Sequence, residues 1–397
     1  MTHIVIVGGS HAAISTAHQI LKQASKTQSL SRVKITMVSR DTHFYWNIAS
    51  PRAVASAAVV PDTDIFAPIK DGFKKYSDKE FEFVLGEVVG VDVSGKVLGV
   101  AGGAGGSNTN GTETERVNGN RTKKSSEREI SYDTLILCTG SDTKVATPFK
   151  SRGSTEATKE ALHALQASIK AAKTILVVGG GSTGVETAGE LAFEYKDKKK
   201  IILATSTAHV LPGCPLSVST NAESLLRSLN VGLRLKTTVK TENPLPGGGY
   251  QITFSNGEIL PVDMYIPTFG IVPNTSFLPA KFLDSQGFVE VDEYLAVRGA
   301  KDVYAVGDVS NAEPSQALFV NFQSKYLAKS MGLVISGRRD AVRPYKRSGT
   351  AMIGVQIGRK AGTGHYGSVK LPGFLITRLR KTLFVESLPK TVDGSVF

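Results

Sequence analysis

A chain of 397 residues is too long for one hydrophobic core, so two or three domains are expected. Its 41% hydrophobic and 21% charged residues suit a soluble globular protein, and no apolar run approaches the ~20 residues that span a bilayer. The formal charge of +12 admits a nucleic-acid or anionic-membrane surface, although a basic solvated surface that attracts phosphate-bearing cofactors is the plainer reading, and the two distant cysteines, Cys138 and Cys214, exclude a CxxC redox pair and fit a reducing compartment.

The start of the chain is apolar over His3–Val7 but lacks the basic lead-in of a signal peptide and runs into glycines. Residues 3–7 (HIVIV) therefore read as a buried parallel strand, residues 11–24 as a helix, and residues 33–38 (VKITMV) as a second strand. Ala13, Ala17, Ile20 and Leu21 recur at helical spacing. This is the β-turn-α-β opening of a doubly wound α/β sheet. The turn itself is Gly8-Gly9-Ser10-His11-Ala12-Ala13, with Ser10 and Ala13 in the slots of the second and third glycines of a dinucleotide turn.

Strands are predicted over 81–100 and 130–137, around an insert at about 99–129 rich in Gly, Asn, Thr and Ser. The insert has almost nothing to bury and is expected to be a disordered hairpin loop. TLILCTGS (134–141) reads as an apolar strand ending in Thr139-Gly140, and Glu156–Lys170 as a helix. The strand TILVV (174–178) then leads into GGGSTGVETAGELAFEY, repeating the opening pattern about 170 residues later. Two nucleotide-binding halves follow from that repeat. Further strands are predicted at 200–204, near 233–241 and at 250–254, with a helix near 217–229 and a turn over 244–249. Residues 262–273 close this half, 302–308 form another strand and 316–335 a helix. From 344 onward a glycine-punctuated strand pair (350–368) precedes an amphipathic basic stretch (374–385).

Gly179, Gly181 and Gly184 complete a GxGxxG between strand and helix. The first makes the tight turn, the second admits a pyrophosphate to the backbone, and the third lets helix and sheet pack. The pyrophosphate then meets the unpaired N–H groups at the helix N-terminus, where Ser182 and Thr183 stand. The next strand ends Thr205-Ser206 with no acid, so a 2′-phosphate meets no repulsion there; NADPH or dual use is favoured, with His209 nearby and no arginine clamp. Glu186 reads either as a dipole-complementing carboxylate or as a contact to the nicotinamide half. Gly307-Asp308 ends an apolar strand, where ligands of open α/β sheets bind.

These motifs, with HFYWNIASPRA (43–53), TFGIVPN (268–274), YAVGD (304–308) and GRKAGTGHYG (358–367), carry a resemblance over nearly the whole chain except the insert. The chain resembles the two-dinucleotide-binding-domain flavoproteins, and within them the apoptosis-inducing-factor-like branch. That branch includes ferroptosis-suppressor-type NAD(P)H:quinone oxidoreductases and is similar to type-II NADH dehydrogenases. The resemblance implies an α/β fold with two Rossmann-like domains in a glutathione-reductase-like arrangement and a small C-terminal α+β region. Residues 1–145 and 272–336 would form the FAD domain, 146–271 the NAD(P)H domain and 337–397 the C-terminal domain.

The same resemblance implies that Gly8, Gly9, Ser10, His11, Ala12 and Ala13 hold the FAD pyrophosphate. Ser39 stands in the slot of the ribose carboxylate, and Asp41 comes two positions late. Arg40 would contact the adenosine phosphate, Arg52 would approach the flavin or its phosphates, and Val88 would present backbone to the adenine. Thr139, Gly140 and Gly307 would also border the FAD, Asp308 would bind the ribityl chain, and the helix from Gln316 would face the flavin pyrimidine end. Gly179, Gly181, Ser182, Thr183, Gly184 and Glu186 would hold NAD(P)H.

The expected activity is hydride transfer from NAD(P)H to FAD and electron transfer on to an acceptor, foremost a quinone. Such chemistry belongs to the cofactor, and no metal site is expected among the seven dispersed histidines. Candidates at the acceptor are Gln316, Phe319, Phe322, Arg359, Lys360 and His365, with core packing the alternative for the aromatics and a solvated turn for Arg359 and Lys360. Residues 374–385 read as an interfacial helix or as a segment packed on the flavin domain. The expected location is cytoplasmic, with peripheral membrane or mitochondrial association, and not secreted. An NAD(P)H-binding redox-signalling or DNA-binding protein, and a biosynthetic oxidoreductase with one specific small metabolite, stand as alternatives.

Overall fold

The computed structural model describes residues 1–26, 32–102, 128–347 and 352–397. Most of the glycine-rich insert, and with it the expected disordered hairpin, lies outside the described residues.

Two parallel sheets organise the chain. The first runs in the order Val303–Ala305, Thr134–Leu137, Thr2–Val7, Val33–Ser39 and Phe81–Leu85. Ile4, Val5 and Ile6 are fully buried because both faces of this sheet are covered, which is why the strand reads as an unbroken apolar run. The helix His11–Lys26 returns along one face and buries Ala13, Ala17, Ile20 and Leu21, as their spacing predicts. Helix Ala317–Ile335 packs beside it, with Thr16 Oγ1 donating to Ser324 Oγ at 3.0 Å.

The second sheet runs Gly232–Arg234, Lys200–Ala204, Thr174–Val178 and Met264–Pro267, also parallel. Helix Ser182–Tyr195 follows its central strand. The C-terminal region is an antiparallel trio, Met352–Ile357, Ala361–Tyr366 and Val369–Lys370, followed by helices Gly373–Leu379 and Leu388–Val392.

Two expected elements are broken. The strand expected at 233–241 splits at Lys236, whose φ of +52° turns the chain; Gly232–Arg234 stays in the parallel sheet and Val239–Pro244 joins an antiparallel one. The amphipathic stretch 374–385 is not one helix. It ends at Leu379, and Leu383 and Phe384 both take positive φ. That turn buries Leu383 and lets its carbonyl accept the Trp46 indole N–H at 2.9 Å.

Candidate active site

The first glycine turn and the start of the helix that follows the second turn line one cleft of ≈ 1260 Å³. This exceeds the ~300–1,000 Å³ of an ordinary small-molecule pocket and suits an extended dinucleotide. Gly8 and Gly179 hold φ of +130° and +124°, which turns each strand sharply into its helix. A Cβ at Gly8 would lie 2.3 Å from the Cys138 carbonyl oxygen, and one at Gly179 would lie 2.5 Å from Thr268 Oγ1. The second helix has no side-chain cap, so its first N–H groups remain available to an anion. These two cradles fit the phosphates of FAD and NAD(P)H.

In the first half, Gly8, Gly9, Ser10, His11 and Ala12 line the cleft, while Ala13 is buried behind them. Ser39, Arg40, Val88, Thr139, Gly140 and Asp308 line it as well. Gly307 stands behind the wall, its N–H donating to Gln323 Oε1 at 2.8 Å. Ser39 accepts the Asp41 N–H at 3.0 Å. The Asp41 carboxylate accepts the Ser151 hydroxyl at 2.9 Å, and burial holds its pKa above the usual carboxylate value. His11 Nε2 donates to Asn321 Oδ1 at 2.9 Å, and burial keeps its ring neutral at physiological pH by lowering its pKa.

In the second half, Ser182, Thr183 and Glu186 line the cleft, with Gly179, Gly181 and Gly184 forming the turn behind. Glu186 is buried and meets Arg380 at 2.6 Å and the Gln356 N–H at 3.3 Å. Burial raises its pKa and the Arg380 charge opposes that shift.

Five further candidate residues do not line the cleft. Arg52 does not line the cleft; it is buried against Glu190 at 2.7 Å and donates to the Lys381 carbonyl at 2.6 Å. Arg359 turns away too, held by Glu194 and stacked over the Phe193 ring at 5.2 Å. Lys360 is exposed beside it and away from the cleft. His365 is buried with its ring on the Gly367 carbonyl, and Phe319 is core. Gln316 and Phe322 do line the cleft.

Two cleft residues escaped the sequence reading. Lys150 pairs with Asp308 at 2.8 Å from a loop with no periodic pattern to mark it. Arg380 belongs to a basic run that reads as solvent- or membrane-facing, and only its neighbours Arg378 and Lys381 are exposed. Cys138 and Cys214 are both free, and burial pushes the Cys138 thiol pKa up, so it is not a ready thiolate.

Comparison with known proteins agrees with this geometry. The family model described as pyridine nucleotide-disulphide oxidoreductase matches residues 2–324. Oxidoreductase ptaL of Pestalotiopsis fici is 50% identical over 396 residues, covering 100% of both chains. Ferroptosis suppressor protein 1 of Homo sapiens is 26% identical over 405 residues, covering 99% of this chain and 96% of that one. Among solved structures, the sulfide:quinone oxidoreductase of Aquifex aeolicus shares the fold with a TM-score of 0.75 at 16% identity, over 99% of this chain and 92% of that one. The chain belongs to the pyridine nucleotide-disulphide oxidoreductase family, with FAD and NAD(P)H as its cofactors.

Proposed function

We propose that the protein is an FAD-dependent NAD(P)H:acceptor oxidoreductase whose acceptor is a quinone. One observation carries this reading: the FAD turn, Asp308 and the NAD(P)H helix line the same cleft, which also has apolar side chains in its lining. Phe322, Met352, Ile353, Leu371 and Ile376 are among them and suit a flat, poorly hydrated acceptor. FAD held by the Gly8–Ala12 turn and Asp308 would supply the redox chemistry between the nicotinamide and the acceptor.

The chain supplies position and field. The N-terminus of helix Ala317–Ile335 borders the cleft at Gln316, Ala317 and Leu318 without a side-chain cap, so its N–H groups and dipole favour negative charge there. Lys150 offsets the Asp308 charge, and Arg380 offsets that of Glu186. Phe44 and Trp46, 5.7 Å apart, restrict water on the first-turn side.

Among the described residues no helix is long and apolar enough to cross a membrane. A peripheral contact with a lipid-borne acceptor would use Gly373–Leu379, where Phe374 is 75% and Leu379 54% exposed. A second reading, a single small metabolite as acceptor, is favoured by the 50% identity to an enzyme named only as an oxidoreductase, against 26% to ferroptosis suppressor protein 1.

The test is the purified protein's absorbance spectrum, then NADH and NADPH oxidation with soluble quinones. A yellow protein that reduces many quinones supports the proposal, and a narrow acceptor profile selects the second reading. A colourless protein that takes up no FAD on reconstitution overturns both.

A further inference from the structure

The adenosine end of the NAD(P)H site decides which of two dinucleotides fits. In a turn of this kind the adenosine ribose lies beside the end of the second strand, where a carboxylate binds a 2′-OH and repels a 2′-phosphate. Here that strand, Lys200–Ala204, runs into Thr205-Ser206-Thr207. A Cβ on Gly180 would lie 2.5 Å from Thr205 Oγ1, so the glycine turn rests directly on this strand end. Thr205 is buried and its hydroxyl bonds Thr207 Oγ1 at 2.8 Å, which leaves Ser206 exposed between them.

The neighbouring strand brings a cation to the same place. Thr205 N–H donates to the Arg234 carbonyl at 2.9 Å, Thr237 N–H to the Thr205 carbonyl at 2.8 Å, and Lys236 N–H to the Thr207 carbonyl at 2.9 Å. These three bonds pin Lys236 beside Ser206 and Thr207 in the left-handed conformation that breaks the expected strand. Lys236 is exposed. The other nearby cations are occupied: His209 meets Glu223 at 3.0 Å, Arg227 meets the same carboxylate at 3.6 Å, and Arg234 meets Glu258 at 3.1 Å. The same pairs neutralise the nearby carboxylates. His209, the candidate that sequence proximity suggests, is thereby replaced by Lys236.

We propose that Ser206 and Lys236 form a 2′-phosphate pocket that makes NADPH the preferred donor. The Thr207 hydroxyl is spent on the His209 carbonyl at 2.7 Å and holds the turn, so the Ser206 hydroxyl supplies the hydrogen bond and the Lys236 ammonium a point charge against a dianionic group. The inference rests on the NAD(P)H:acceptor reading but addresses a different part of the ligand.

The experiment titrates the holoenzyme with 2′-phospho-ADP-ribose and ADP-ribose, which lack the nicotinamide, and measures kcat/KM for NADPH and NADH. The phosphorylated fragment is expected to bind roughly tenfold or more tightly than ADP-ribose. Lys236→Met should remove most of that ratio, and Ser206→Asp should invert it. ADP-ribose is titrated in parallel on each variant, so that loss of the fold shows as loss of both ligands; a Lys236→Gln variant then replaces one that fails to fold. Equal binding of the two fragments by the wild type overturns this inference alone. A preference that survives both Lys236 substitutions also overturns it. Binding of neither fragment overturns the donor reading itself.

Discussion

The helices after the two glycine turns show how one local motif serves two different attachments. Aligned from Gly8 and Gly179, Ser15, Gln19 and Gln23 of the first helix correspond to Glu186, Glu190 and Glu194 of the second. The second row is acidic, and each carboxylate meets an arginine from elsewhere in the chain: Arg380, Arg52 and Arg359 respectively. The first row is uncharged, with Gln19 Nε2 donating to Ser15 Oγ at 2.9 Å. The contrast extends to the facing residue. His18 of the first helix lies under Gly394 near the C-terminus, whereas Gly189 of the second lets Gly358 approach so closely that a Cβ would be 2.8 Å from its nitrogen. The first helix packs on its own sheet and on helix Ala317–Ile335, and holds the chain's last residues by neutral contacts of His18 and by Lys22 on backbone carbonyls. The second ties the NAD(P)H half to helix Ser50–Ala55 and to the C-terminal hairpin through paired charges and a bare backbone contact.

The largest effect should come from breaking that tie. Arg52 and Glu190 are 5% and 1% exposed, so Arg52→Ala leaves the Glu190 carboxylate buried with only the more distant Arg359, at 3.6 Å, to offset its charge. A loss of about 3–5 kcal/mol is expected, largely recovered when Glu190→Met is added to Arg52→Met. Gln19→Ala at the corresponding position of the first helix should cost about 1 kcal/mol or less. Urea denaturation of the four proteins makes the comparison, and an Arg52→Ala cost no greater than that of Gln19→Ala would show the ladder to be ornamental.

The next effect in size is a pH dependence centred on His18 of the first helix. His18 is buried, stacked on Phe73 at 4.0 Å, and bonded through Nε2 to the Val392 carbonyl at 2.8 Å. Burial lowers its pKa from 6.5 to about 4. The unfolded chain therefore binds a proton that the folded chain refuses, and stability falls as pH drops from about 6.5 toward 4. The full shift corresponds to about 3 kcal/mol. Melting temperatures across that range should fall less steeply for His18→Gln, which keeps a hydrogen-bonding group but does not titrate. A slope unchanged by the substitution would place the acid sensitivity elsewhere.

Much of this arrangement is legible in the residues, for reasons that also explain the misses. Strands such as Thr174–Val178 are buried on both faces, so they appear as apolar runs that end in glycine. Asp308 is found because it follows such a run. The acid row of the second helix is also visible, since VETAGELAFEY places three glutamates at intervals of one helical turn. Its partners are not, because Arg52 and Arg359 lie far off in sequence and reach Glu190 and Glu194 only through tertiary packing. Resemblance places Arg52 near the flavin, and a glycine-rich setting points Arg359 at an acceptor; in the fold, Arg52 pairs with buried Glu190 and Arg359 with half-buried Glu194. The stretch 374–385 matches a helical period to its end, but the bond from Trp46 to the Leu383 carbonyl belongs to a turn that no local pattern announces.

The smallest effect addresses the two turns themselves. At Gly184 an added Cβ would lie 1.9 Å from the Gly179 carbonyl oxygen and 2.6 Å from Thr268 Oγ1, so the second helix sits hard against its strand. The matching position in the first turn is Ala13, which is fully buried and already carries a Cβ. Gly184→Ala should therefore cost about 1–3 kcal/mol through overpacking. It should also displace the helix N-terminus that receives a dinucleotide phosphate, weakening NAD(P)H binding while the flavin absorbance persists. The reverse change, Ala13→Gly, relieves no contact and should cost only about 0.5–1 kcal/mol through helix propensity. Denaturant melts, flavin absorbance and nucleotide titration on both variants separate the cases. Equal costs, or loss of flavin from Gly184→Ala, would mean that the two helices stand equally far from their strands and that the difference in sequence carries no difference in geometry.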